Sequence, residues 1–129
     1  NLRVVNTRHT VQNLGLRLEA GSPTKVFCYS GDGMFTPTAS KLYTNADLLV
    51  HEAYTSDGTV KNPRGETVTV GTKTHCSLQQ LERLDDMARP KKMALIHLNR
   101  KLREEKKDIL KKYRQRRWIM PDAGEVIEL

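Results

Sequence analysis

The chain has no apolar run approaching the roughly 20 residues that a membrane-spanning helix needs. That excludes a transmembrane helix and leaves no membrane among the expected partners. No signal-peptide pattern is visible at the N-terminus. Cysteine is scarce: Cys28 lies inside an apolar run, Cys76 sits beside a histidine, and their spacing makes no paired-cysteine metal motif. Both read as thiols of a reducing compartment, so a cytoplasmic location is expected. No internal repeat and no low-complexity segment is present, which argues against a solenoid or a disordered linker. Most of the chain also lacks any excess of charge. The net charge is +7, and the segment Arg100–Arg117, with ten Lys/Arg against three acids, holds all of it. Any electrostatic footprint for nucleic acid is therefore one segment near the C-terminus. Only Tyr113 and Trp118 accompany it as aromatics.

At 129 residues the length suits one small domain or part of a larger one. The 37% apolar content is ordinary for a soluble chain and permits a sizeable core. The first residue is Asn and strand-like sequence begins at once. The expectation is that a start was processed away or that the chain is a piece of something longer.

Short apolar stretches bounded by turn signals predict strands at Leu2–Val5, Leu14–Glu19, Lys25–Tyr29, Asp47–His51 and Lys92–His97. Pro37 suits the first turn of a helix to about Thr44. Ser77 and Gln80 have capping-box spacing, and Leu78, Leu81, Leu84 and Ala88 share one face of a helix that Pro90 ends. Thr55–Gly71 reads as a long loop. Asn99 can cap a single long helix to about Arg114 with Leu102, Ile109, Leu110 and Tyr113 as its apolar stripe. Trp118–Met120 and Glu125–Leu129 read as a hairpin-like pair. The alternation of strands and helices predicts an α/β fold.

Three strands stop at residues that bind metals or move protons. Lys25–Tyr29 runs into Ser30-Gly31-Asp32-Gly33, Leu48–Val50 into His51-Glu52, and Met93–Ile96 into His97. His9 and His75 also lie beside turn signals. Any one of these histidines alone fits a structural, hydrogen-bonded role. Imidazoles and carboxylates placed together at strand ends suit zinc, manganese or iron.

The segments His9–Glu19, Tyr29–Gly33 (Tyr-Ser-Gly-Asp-Gly), Asp47–Ala53 (Asp-Leu-Leu-Val-His-Glu-Ala), Thr74–Ser77 (Thr-His-Cys-Ser) and Leu95–Arg100 (Leu-Ile-His-Leu-Asn-Arg) occur in an order that resembles the metallo-β-lactamase superfamily. Within it the likeness is to ribonuclease Z and related phosphodiesterases. The resemblance implies the C-terminal half of an αββα sandwich, with residues 1–129 as part of one domain and the N-terminal half absent. It implies two divalent metal ions, zinc first and manganese or iron as alternatives. His9 resembles a ligand of the first metal, Asp32 the bridging carboxylate, and His97 a ligand of the second. His51-Glu52 resembles the His-Glu-Ala-Thr motif, here with Tyr54 last, and His75 resembles the histidine that protonates the leaving group. The implied catalytic set is His75, His51 and Glu52, and the implied metal set is His9, Asp32 and His97.

The implied function is a metal-dependent hydrolase, a phosphodiesterase working through a metal-activated hydroxide. A tRNA 3′-end endonuclease and a non-catalytic interaction module that kept the fold are the alternatives. The implied partners are a phosphodiester or other small hydrolysable substrate, RNA through Arg100–Arg117, and a homodimer as one assembly open to the chain. The plainer reading of the basic segment is a solvated amphipathic helix, with acids at i,i+4 to its bases. The family signature His-x-His-x-Asp-His does not occur here. Gly33 stands where ribonuclease Z usually has Thr, Leu98-Asn99 stands for Phe-Ser, and the short interval from His9 to Asp32 has no room for a tRNA-gripping arm. The isolated chain is therefore expected to bind metal weakly and not to be a competent hydrolase.

Overall fold

The computed structural model describes residues 1–69 and 74–129. A six-stranded mixed sheet organises the chain. Strands β1 (Leu2–Thr7), β2 (Asn13–Ala20) and β3 (Lys25–Tyr29) run antiparallel. Strands β4 (Leu48–Glu52), β7 (Met93–Ile96) and β8 (Trp118–Ile119) then continue from β3 in parallel. The order is β1-β2-β3-β4-β7-β8. Parallel neighbours need crossovers, and helices supply them. Helix α1 (Pro37–Leu42) joins β3 to β4, and α2 (Leu78–Ala88) precedes β7. Helices α3 (Arg100–Glu104) and α4 (Lys106–Lys112), with a tight turn at Arg114–Arg116, lead to β8.

Period-two alternation gives the sheet two distinct faces. The register aligns Cys28, Leu49, Met93 and Trp118 in one row across four strands. These residues join Ala39 and Tyr43 with Leu81 and Leu84 in a single buried cluster that also takes in Leu102, Ile109 and Tyr113. All four helices thus contribute to the core on this face. The other face carries the rows Leu2–Leu18–Phe27–Leu48 and Val4–Leu16–Tyr29–Val50. It is poorly covered at the β1–β2 end, where Leu2 is 62% and Val4 60% exposed.

The capping box of α2 forms in full. Ser77 Oγ accepts the Gln80 N–H at 3.3 Å, and Gln80 Oε1 accepts the Ser77 N–H at 2.8 Å. Ser77→Ala is expected to cost about 1 kcal/mol, read as a lower urea midpoint with an unchanged slope.

Three expectations are corrected by the structure. The single helix from Asn99 is interrupted at Glu105 and gives way to a tight turn after Lys112. Its apolar stripe skips from Leu102 to Ile109, so no core contact holds the turn between them. The predicted C-terminal hairpin does not form; β8 pairs parallel with β7 instead. That pairing buries Trp118 and stacks it on Tyr113 with ring centroids 4.5 Å apart. The expected loop at Thr55–Gly71 contains a small hairpin of β5 (Thr59–Lys61) and β6 (Thr67–Thr69). Asn62 Oδ1 nucleates its turn by accepting the N–H groups of Arg64 and Glu66, both at 3.0 Å. Residues 70 and 71 of that expected loop lie outside the described residues.

Candidate functional site

Strands β3, β4 and β7 run parallel, so their C-terminal ends share one edge of the sheet. Side chains just beyond those ends meet in one crevice. Asp32, Glu52, His75 and His97 each offer a ligand atom there, and these atoms lie within 4.8 Å of one another. Asp32 Oδ1 stands 2.7 Å from His97 Nδ1 and 3.4 Å from His75 Nδ1. Glu52 Oε2 stands 3.2 Å from His75 Nδ1 and 3.8 Å from His97 Nδ1. His9 lies just outside this group, with Nε2 3.9 Å from Asp32 Oδ2 and its ring centroid 5.2 Å from that of His75.

The loop carrying Asp32 is shaped by two glycines. Gly31 has φ +69°, and a Cβ there would lie 2.6 Å from Asn13 Oδ1. A Cβ on Gly33 would lie 2.7 Å from Asn13 Nδ2 and 2.9 Å from the Arg8 carbonyl oxygen. The chain can approach β2 this closely only without side chains. Asn13 holds the loop from below. Its Oδ1 accepts the Asp32 N–H at 3.1 Å, while its Nδ2 donates to Thr7 Oγ1 and to the Ser30 carbonyl. The Glu52 N–H donates to Ser30 Oγ at 3.2 Å, which ties the end of β3 to the end of β4.

Glu52 is fully buried. Burial pushes its carboxyl up to about 7, opposed by the hydrogen bond from the Cys76 N–H and by His97, and reinforced by Asp32. The Cys76 N–H holds one oxygen and His75 Nδ1 faces the other. Tyr54 stacks on His75 with ring centroids 4.8 Å apart and leans toward His97 at 5.6 Å. Asp32 and His97 are the solvent-facing members, with side chains 53% and 44% exposed.

His51 is not part of this cluster. It neighbours Glu52 in β4, so its side chain leaves on the opposite face, into the helix-covered core. It is fully buried beside Phe35 and Tyr43, and its Nδ1 lies 2.8 Å from the Glu52 carbonyl oxygen. Burial holds its ring down to about 4, well under the usual imidazole range.

Sequence reasoning missed Asn13 and left Tyr54 without a task. Neither carries a local signal, because each acts through a partner distant in sequence. Both cysteines are buried free thiols, and burial pushes each upward, Cys28 to about 11.

Two imidazoles and two carboxylates form a donor set that suits a borderline divalent cation. A cation would also offset the charge of the buried Glu52, which protein donors alone leave poorly stabilised. The residues present therefore fit a metal.

No family model matches the chain, and no curated protein sequence matches it. Solved structures do match. Human tRNase Z, short form (ELAC1), is 20% identical over 79% of this chain and 38% of its own, with a TM-score of 0.61. The metallo-β-lactamase fold protein YhfI from Bacillus subtilis is 22% identical over 84% of this chain and 42% of its own, with a TM-score of 0.61. Zn(2+)-bound PqqB from Methylobacterium extorquens is 20% identical over the whole of this chain and 50% of its own, with a TM-score of 0.66. The chain spans half or less of the length of each. What these likenesses establish is architectural: the chain has the metallo-β-lactamase fold, matched over half or less of each of these structures.

Proposed function

We propose that this chain supplies one wall of the active site of a metal-dependent hydrolase that cleaves phosphodiesters. The observation that carries the reading is the convergence of Asp32, Glu52, His75 and His97 at one sheet edge, with ligand atoms within 4.8 Å. Asp32, His97 and the adjacent His9 are assigned to holding divalent metal, zinc in the first instance. Zinc is the ion named for PqqB, and RNA is the substrate class implied by the name of human tRNase Z.

A divalent cation bound here would neutralise phosphoryl oxygens and acidify a water molecule. The remaining work belongs to the chain. His75 is assigned to giving a proton to a departing alkoxide, a transfer imidazole side chains commonly make. Glu52 fixes the orientation of that ring through Nδ1, and the Cys76 N–H fixes Glu52 in turn. Tyr54 packs flat against His75 and restricts its rotation. His51 supports the site from behind by holding the β4 backbone.

The chain is also proposed to be the C-terminal part of a larger domain. Two facts support this: it spans half or less of each matched structure described above, and Leu2, Val4, Leu14 and Leu18 leave one sheet face exposed. The complete protein loaded with zinc or manganese is expected to hydrolyse bis(p-nitrophenyl) phosphate, while the isolated 129 residues do not. Turnover by the isolated chain at the rate of the complete protein would refute the half-site reading. Inactivity of the complete metal-loaded protein toward every phosphodiester offered would refute the hydrolase reading.

A further inference from the structure

A cavity of about 400 Å³ adjoins the cluster and shares His97 with it. Its volume is in the range of small-ligand sites. Leu98 and Met120 give it apolar walls, while Arg103 and Lys106 bring two cations to its lining. Met120 is only 2% exposed, so the apolar surface open to a ligand ring comes from the half-buried Leu98 and Pro121.

The two cations differ in their present partners. Arg103 is exposed, and among the described residues no carboxylate stands within ion-pair distance of it. Lys106 Nζ pairs with Asp122 Oδ2 at 2.9 Å, but Asp122 is 84% exposed. Such a solvated pair contributes under about 1 kcal/mol, so a dianion can take Lys106 over. Guanidinium and ammonium groups on one rim are a phosphate-binding arrangement. Asp122 stands on the same rim as a solvent-exposed carboxylate.

The geometry points to a subsite for the nucleotide unit next to the scissile bond: its base or sugar lies against Leu98 and Pro121, and its own phosphate lies on Arg103 and Lys106. This inference rests on the phosphodiesterase reading above and adds to it a place in this chain for the phosphate next to the one cleaved. Because His97 belongs to both cavity and cluster, a ligand filling the cavity presents its reacting end to Asp32 and His75.

Two chromogenic esters test it in the complete metal-loaded protein. Thymidine 5′-(p-nitrophenyl phosphate) and its 3′-phosphorylated counterpart share a scissile bond and differ by one phosphate. The 3′-phosphorylated ester is expected to show a kcat/KM about ten times higher, expressed in KM. In Arg103→Gln/Lys106→Gln that ratio is expected to fall close to one. Lys25→Gln/Lys41→Gln removes two charges elsewhere and is expected to keep the ratio. A wild-type ratio of one, or an equal drop in both double variants, overturns the subsite. Calorimetric binding of thymidine 3′,5′-bisphosphate reads the subsite independently of turnover. Binding that weakens about tenfold in Arg103→Gln/Lys106→Gln supports it, and binding unchanged in that variant overturns it. Bisphosphate binding of this kind without hydrolysis of either ester would sink the hydrolase reading and leave the subsite standing.

Discussion

Replacing Asp32 with alanine is expected to remove metal binding and to lower kcat/KM for a phosphodiester more than about 100-fold. Loss of a mere supporting partner of a metal ligand typically costs about 10–100-fold, and Asp32 is the hub of the cluster. Its oxygens face His97 at 2.7 Å, His75 at 3.4 Å and His9 at 3.9 Å. Without it, three imidazoles converge on a space where, among the described residues, Glu52 is the one remaining anionic donor, and its oxygens already face Cys76 and His75. His97→Ala should produce a loss of the same order. Neither change should unfold the protein, because both side chains are substantially exposed. Metal content by mass spectrometry, kcat/KM and the thermal midpoint should be measured together. Unchanged metal stoichiometry and rate in both variants would remove this site from consideration. Asp32→Asn is a sharper version, since it keeps the shape and deletes the charge.

His51 is expected to make the metal-free fold sensitive to acid. Its folded pKa of about 4 lies below its ordinary value of 6.5. Between those values the unfolded chain binds more protons than the folded one, so stability falls as the pH drops. The contribution is fully present above pH 6.5 and is lost as the pH falls through the folded value, about 3 kcal/mol in all. Glu52 works the other way, because its carboxyl is raised from 4.5 to about 7. Its contribution is greatest in acid and fades as the pH rises toward 7. Wild type must therefore be compared with His51→Phe, which keeps a ring between Phe35 and Tyr43 and leaves Glu52 in place. Urea unfolding from neutral pH down to about 4 should show the two stability curves converging by about 3 kcal/mol. Parallel curves would mean that His51 is not the source.

Much of the framework was legible in the residues. The strand ends at Tyr29, Glu52 and Ile96 follow from short apolar runs cut off by polar or turn residues, and α2 follows from its capping box and its leucine spacing. Asp32, Glu52 and His97 could be named because each stands at or just beyond such an end, and His75 because it lies beside a turn signal ahead of α2. The division of labour between His51 and Glu52 was not legible. Alternation says that they face opposite ways, but only the packing of α1 and α2 decides which face is core. The break at Glu105 was hidden for a similar reason: the charged run keeps good helix formers, and what fails there is a tertiary contact. Pairing of β8 depended on a remote partner, as did Asn13, whose value lies wholly in touching a loop far along the chain. Thr59–Lys61 and Thr67–Thr69 were obscured by the polar turn residues between them.

His97 holds the cluster from a left-handed backbone, with φ +53°. That conformation costs an L-residue with a Cβ roughly 1–2 kcal/mol, and glycine almost nothing. If His97 serves as a metal ligand, as proposed above, ligand chemistry at this position is set against conformational ease. The usual ranking of small replacements should invert here: His97→Gly should be more stable than His97→Ala by about 1 kcal/mol. Urea unfolding of the two variants, both without metal, reads this directly, and an alanine variant as stable as the glycine one would show that the turn carries no such tension. Were metal binding given up, glycine would be the easier residue for the backbone at position 97.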